Sequence, residues 1–366
     1  MNTYIPYPDI LPLPAPVWLF FSLLILTFTV HLIFMNFLFG GTFLAAISHF
    51  RGKKDPNHAH LSKKLYKFMP AVIALTVNFG VAPLLFVQVL YGHLLYSSSI
   101  LMAVAWFSVI PLVIFGYYGT YSLRFKWDKL AKYRSIITWF VSGIFVVIAF
   151  IYVNNFTLML RPENWVTHYF KDPSSGTFNW SDATLFPRYL HVFFGALALA
   201  GTWIMIIGVR RRTGDDEWSD WTVNFGSRVF LYTTMINILI GILFLIVHPG
   251  TIVKNFMGKD LISTIFLVIS VFVTVYVLIL ASKIPKIAEK KKHTYILFSS
   301  TVFLLILMIL LRHSLRTFYL EPYFKLDQLQ VEPQWTAFLI FAGTMVLFMV
   351  PALIWMIKVM LNAKRE

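Results

Sequence analysis

The sequence predicts an all-α, polytopic membrane protein of nine transmembrane helices, with the N-terminus outside and the C-terminus inside. Three observations predict it. Of 366 residues, 58% are hydrophobic and only 13% charged, with a mean hydropathy of +0.72, whereas a soluble domain carries about 25% charged residues. The apolar residues are gathered in nine runs, each near the ~20 residues that cross a bilayer as a helix. The formal net charge of +15 is spread very unevenly over the loops between those runs.

The first run, 17–48, follows a proline-punctuated lead, PYPDILPLPAP, that holds no Lys or Arg and no small-residue cleavage site after a short apolar core. It reads as a retained helix and not as a signal peptide. The remaining spans are predicted at 68–92, 99–123, 135–160, 185–209, 229–250, 261–282, 294–318 and 335–361. The chain therefore divides into a first four-span bundle, 1–160, and five further spans within the same membrane domain, 161–366. The longest loop, 161–184, contains turn formers and aromatics but no second core, and RRRTGDDEWSD at 210–220 reads as a mixed-charge solvated turn. No internal repeat stands out.

Lys and Arg collect on loops that face the cytoplasm. Twenty-three of the 31 basic residues fall on one set of loops, among them Arg51 to Lys67, Arg124 to Arg134, Arg210 to Arg212 and Lys283 to Lys292. That side also has half of the 16 acidic residues and so carries the whole net charge, while the other side is electrically balanced. The excess of cations is a topology signal; its partner is the lipid bilayer, and no nucleic acid is implied.

The absence of cysteine excludes disulfides, Cys-ligated zinc, iron–sulfur clusters, a thiol nucleophile and covalent c-type haem attachment. No carboxylate lies in the middle of a predicted span, which argues against a proton-coupled transporter. Four of the ten histidines, His49, His58, His60 and His293, belong to the basic loops and read as solvated or interfacial. The other six gather in the outer half: His31 deep in the first span, His93, His191, His248 and His313 near span ends, and His168 in the outer loop.

Neutral imidazole is an axial ligand for haem iron. Arg188 lies one turn before His191, and Arg312 and Arg316 flank His313, where guanidinium groups could hold propionate carboxylates. His31 has no carboxylate partner at its depth. A lone interfacial histidine such as His93 or His248 is more often hydrogen-bonded at headgroup level than a ligand. Gly40, Gly41 and GALALAG at 195–201 would admit a flat ring, or close helix packing. Histidines occur one per helix, so the arrangement of bc-type cytochrome b, with paired histidines on each of two helices, is excluded.

HLIFMNFLFGGTFLAAISHF from His31, NFGVAPLLFVQVLYG at 78–92, GYYGTYSLRF at 116–125 and RYLHVFFGALALAGTWIMI from Arg188 resemble subunit I of the cytochrome bd quinol oxidase superfamily over about 210 residues. The resemblance implies nine helices, haem near the outer face, His31 as the axial ligand of a high-spin haem, and His191, three residues after a basic one, as ligand of a low-spin haem b. The third and ninth spans lack the family's glutamates, 261–282 lacks its methionine, and the quinol loop after span six shrinks to 251–260. Oxygen reduction and the usual quinol site are thereby put in question. His248 and His313 are the nearest substitutes to pair with His191, with Met235, Met308 and Met345 as soft alternatives.

The implied protein is a haem b-containing subunit, in a bacterial inner membrane, that passes electrons between the quinone/quinol pool and a c-type cytochrome subunit on the outer face. It would have a second bd-like membrane subunit beside it. Its metal ligands are expected among His31, His191, His248 and His313, with Arg188, Arg312 and Arg316 on the cofactor's carboxylates. The alternatives are a bd-type terminal oxidase and a cofactor-free membrane anchor for cytochrome partners.

Overall fold

A computed structural model of the chain describes residues 5–9, 11–171, 178–210, 216–352 and 354–355. Its helices are α1 (Val17–Arg51), α2 (Pro56–Leu101), α3 (Ala103–Phe125), α4 (Arg134–Met159), α5 (Trp165–Lys171), α6 (Leu185–Arg210), α7 (Asp216–Ile246), α8 (Gly250–Lys254), α9 (Leu261–Lys283), α10 (Lys290–Leu320) and α11 (Trp335–Thr344). Nine of these, all but the short α5 and α8, are long and apolar enough to cross a membrane among the described residues, counting α11 with its continuation to Ala352. The last stretch of the expected ninth span, 356–361, lies outside the described residues, as do Arg211, Arg212, Lys358, Lys364 and Arg365. Below, the end of the bundle bearing the Lys/Arg loops is the lysine-rich end, and the other is the far end.

Three boundaries differ from those expected. The segment after α1, expected as a loop to residue 67, is helical from Pro56. Asp55 caps it by accepting from Asn57 N–H at 2.9 Å, proline suits the first helical position, and His58, Leu61, Ser62, Leu65, Tyr66 and Met69 form a buried face at helical spacing. Likewise α7 starts at Asp216, before the expected 229, burying Trp218, Ser219, Thr222 and Val223.

No loop separates spans two and three. The chain stays helical to Leu101, leaving helical geometry at Tyr91 (φ −138°, ψ 27°), and Met102 alone joins α2 to α3. At 46 residues α2 is ~69 Å long, more than twice a hydrocarbon core of ~30 Å, so it projects beyond the bilayer. Ser98 Oγ, bonded to Asn155 Oδ1 of α4 at 3.2 Å, ties the projecting turn to the bundle.

Helix α6 is the central strut, with 72% of its most apolar stretch buried; it packs on α1, α7 and α10, while α1 also packs on α2 and α4. Small residues make this approach close. A Cβ on Gly40 would fall on the Ala196 carbonyl of α6. A Cβ on Gly201 would come within 2.9 Å of the Gly226 carbonyl of α7, and one on Gly226 within 2.7 Å of the Gly201 carbonyl. The glycines after His31 and His191 thus serve helix–helix contact, the second of the two readings the sequence offered.

Side chains fill one core at the far end, around Leu90, Leu94, Leu158, Met159, Leu315 and Leu320. Two more lie toward the lysine-rich end, on either side of α6. Helix α11 buries none of its residues. Its approach is held by main-chain bonds to the lead before α1: Leu13 N–H to Gln330 O at 2.8 Å, Glu332 N–H to Leu13 O at 2.9 Å and Gln334 N–H to Pro14 O at 2.8 Å.

Replacing Gly40 by Ala should destabilise the protein by about 1–3 kcal/mol through overpacking against α6. Gly143→Ala, with nothing within 4 Å of the added carbon, should be neutral or slightly stabilising; thermal unfolding in detergent compares the two.

Candidate cofactor site at the far end

The histidines expected in the outer half are held in two ways. On α1, His31 Nδ1 lies 3.0 Å from the Thr76 carbonyl of α2. A carbonyl only accepts, so the proton sits on Nδ1 and the lone pair on Nε2. Gly80, one turn after Thr76, makes room for the ring: a Cβ there would lie 2.9 Å from His31 Cε1. His191 on α6 is seated in the same way against Gly241 of α7, where a Cβ would lie 3.2 Å from its Cε1, with the Asn237 backbone one turn earlier close to the buried ring.

His248, just past α7, is buried and bonds through Nδ1 to the Tyr319 hydroxyl of α10 at 2.7 Å. In either tautomer its Nε2 is buried with no partner. Phe244 joins the two imidazoles on this side, stacked near His191 at 6.3 Å between centroids and edge-on to His248 at 4.7 Å. His313 of α10 lies instead against Phe21 of α1 at 4.2 Å, with Nδ1 also lacking a partner.

Three arginines enter the same region. Arg188 lies over Phe244 at 5.3 Å, Arg316 over Tyr91 at 4.7 Å, and Arg312 between Phe28 and Phe156, 5.0 Å from each ring. All three line a cavity of about 10 Å³ closed by Met159, Leu160 and Leu315, roughly the space of one water molecule. Among the described residues none of them has a carboxylate partner, and Arg188 Nε and Arg316 Nη1 are buried with no hydrogen bond at all. Ring faces attract guanidinium groups but do not neutralise them.

The nearby carboxylate is already engaged. Asp182, before α6, accepts from Arg161 Nε at 2.9 Å, from Thr184 N–H at 2.8 Å and from Thr184 Oγ1 at 2.7 Å. Burial alone would raise its pKa, but the Thr184 bonds and the Arg161 charge outweigh that and hold it below the usual carboxylate range. Arg161 also donates to Tyr319 Oη at 3.2 Å, so Asp182, Arg161, Tyr319 and His248 form one chain of contacts.

The structure therefore gathers His191, His248 and Arg188 around Phe244, and places His31 and Arg312 on either side of Phe28. His93 packs on Phe324 and His168 lies on α5, apart from both groups. Met235 and Met345 are exposed. His58, expected to be solvated, is buried edge-on to Trp221 and Phe225, because the early start of α2 turns it inward. Sequence reasoning missed Thr76, Gly80, Gly241, Phe244 and Tyr319, and counted Arg161 and Asp182 only as loop charges. Asp182 ahead of an apolar helical run carried a readable start signal. No three His, Cys, Asp or Glu side chains among the described residues converge on a point where they alone would hold a metal ion.

A bundle of membrane-spanning helices with buried imidazoles and uncompensated guanidiniums at one end defines the class of site. No family model and no curated protein sequence matches the chain. Among solved structures it is similar to the bd oxidase from Geobacillus thermodenitrificans, with a TM-score of 0.69 and 12% identity over 96% of this chain and 100% of that one. The chain has a bd-oxidase-like fold.

Because the depressed pKa of Asp182 favours the folded state, its contribution is full above the unfolded carboxylate value of ~3.9 and is lost as pH falls through the folded value. Thermal stability should be level from pH 8 to 5 and fall below about pH 4. Asp182→Asn should cost about 3 kcal/mol at neutral pH by leaving Arg161 with only the longer, more exposed contact to Glu163 at 3.5 Å, and should flatten that acid limb.

Proposed function

We propose that the chain is a haem b-carrying subunit of a respiratory membrane complex, which passes electrons between the quinone pool and a c-type cytochrome partner at the far end. The observation that carries this reading is a set of three guanidiniums, Arg316 buried and Arg188 and Arg312 half-buried, with no carboxylate in salt-bridge contact among the described residues, beside imidazoles with free nitrogens. Unpaired buried cations are costly, and a dicarboxylate cofactor with a metal centre is the ligand that answers both needs. Such a haem supplies a one-electron redox couple when bound.

The residues fit the group. His31 and His191 would each ligate iron, and His248 or His313 would complete the second site. Thr76 and Tyr319 fix the rings of His31 and His248 through Nδ1, as outer hydrogen bonds do for ligating histidines. Arg188, Arg312 and Arg316 would hold propionates, and their charge would favour the reduced state. The charge asymmetry supports placing this end at the outer face. A second bd-like subunit and a bacterial inner membrane follow from the same resemblance. The similar fold belongs to an oxidase, but here no carboxylate lies in the middle of a span, which favours electron transfer over oxygen reduction.

A reduced-minus-oxidised spectrum with haem extraction on the purified complex should count two or more haems b per chain; a colourless protein would overturn the reading. His31→Ala should remove one haem, and His248→Ala combined with His313→Ala should abolish the low-spin signal. Arg188→Leu should lower a midpoint potential by on the order of tens of millivolts. Quinol-driven oxygen consumption that is lost in His31→Ala would assign the oxidase activity instead.

A further inference from the structure

A second cavity lies at the opposite end of the molecule from the haem site proposed above. It has a volume of about 580 Å³, between the end of α1, the start of α2, the end of α3 and the start of α4. Six cations face it: Lys53, Lys63, Lys64, Lys67, Arg124 and Arg134. His49 and His60 add two imidazoles, while Leu123 and Trp127 form an apolar wall. The floor is tight, since a Cβ on Gly52 would lie 2.7 Å from Ala59 backbone atoms.

Lys63 has a carboxylate partner. Asp128 meets Lys63 at 3.5 Å, with both side chains largely exposed, a pair worth little. Lys53, Lys67 and Arg124 have no carboxylate partner among the described residues. Arg134 is positioned by two bonds to the Trp127 carbonyl, at 3.1 and 2.6 Å, and by stacking on the Trp127 ring at 4.4 Å. It is a fixed cation on the wall, not a waving surface charge.

The depth of this pocket identifies its ligand. It opens where α1 and α3 end and α4 begins, at the boundary between the apolar spans and the basic loops. Exposed aromatics ring it at that level: Phe50, Phe68, Phe125 and Tyr133. Lys53 lies over Phe50, Lys64 over Phe68 and Arg124 over Phe125, at 5.5 to 5.7 Å. Aromatic belts mark the headgroup region of a bilayer, and basic pockets between spanning helices at that depth suit anionic headgroups. We propose that this pocket is a binding site for the phosphodiester headgroup of an anionic phospholipid, with the acyl chains lying along the aromatic rim.

The shared chemistry, a phosphate among lysines and arginines, could also be met by free phosphate, and the test separates the two. The purified full-length complex, stripped of lipid in detergent, is titrated with phosphatidylglycerol, with phosphatidylcholine and with inorganic phosphate, binding being read by native mass spectrometry. Phosphatidylglycerol should bind, phosphatidylcholine should bind much more weakly, and millimolar phosphate should not displace the lipid. The variant Lys53→Gln/Lys67→Gln/Arg124→Gln should weaken phosphatidylglycerol binding by on the order of 100-fold, about fivefold for each cation removed. Lys53→Arg/Lys67→Arg should retain it, and unchanged thermal unfolding of both variants shows that folding is intact. Equal affinity for the two lipids, or unchanged affinity in the glutamine variant, would overturn the proposal. Displacement of lipid by phosphate at matching affinity would reassign the pocket to a soluble anion and overturn it as well.

Discussion

Placing a guanidinium inside a helical bundle takes it at least partly out of water, and in this chain three are drawn together with no carboxylate in salt-bridge contact among the described residues. Such a grouping is costly unless opposite charge meets it, and in the reading proposed above a bound cofactor brings that charge. Much of the far end is arranged around that constraint. Asp182 is held by one hydrogen bond from Arg161 and two from Thr184 and is in salt-bridge contact with none of the three, and aromatic faces line the guanidiniums where acidic side chains would otherwise be expected. Imidazole rings are set against glycines of the neighbouring helix, which fixes their orientation without any charge.

The two ends of the bundle handle cations in opposite ways. At the far end few positive groups are buried, tightly packed and individually placed, around a cavity of about 10 Å³. At the lysine-rich end many positive groups stand around an open cavity of about 580 Å³, with long side chains resting on aromatic rings. In the two proposals above, the first arrangement would take a dianion in a fixed position and the second a mobile, amphipathic anion. Between them α6 and its glycine contacts supply a rigid, uncharged middle.

Runs of apolar residues made the spanning helices legible in the sequence, because a bilayer demands them at one length. Helix ends were not legible where an amphipathic turn carries charges outward and still buries one face, as at Pro56–Met69 and at the start of α7. The side chains of the candidate site were legible as polar breaks in apolar runs: His31, His191, His248, His313 and the three arginines. Their grouping was not. Sequence gives the height of a residue along a helix but not the direction in which it points relative to other helices, so the roles of Phe244 and Tyr319 came only from the packed structure. Gly80 and Gly241 looked like ordinary small residues until the rings beside them were placed.

The main-chain bonds that join Leu13 and Pro14 to residues 330–334 tie the start of the chain to the approach of its last helix. A contact spanning more than 300 residues closes a very large loop, and loop closure of that kind comes late in folding. During synthesis Leu13 N–H and the Leu13 and Pro14 carbonyls can make these bonds only after the segment before α11 has emerged. The clasp thus makes the position of the lead before α1 depend on that of the segment before α11, at the opposite end of the described chain.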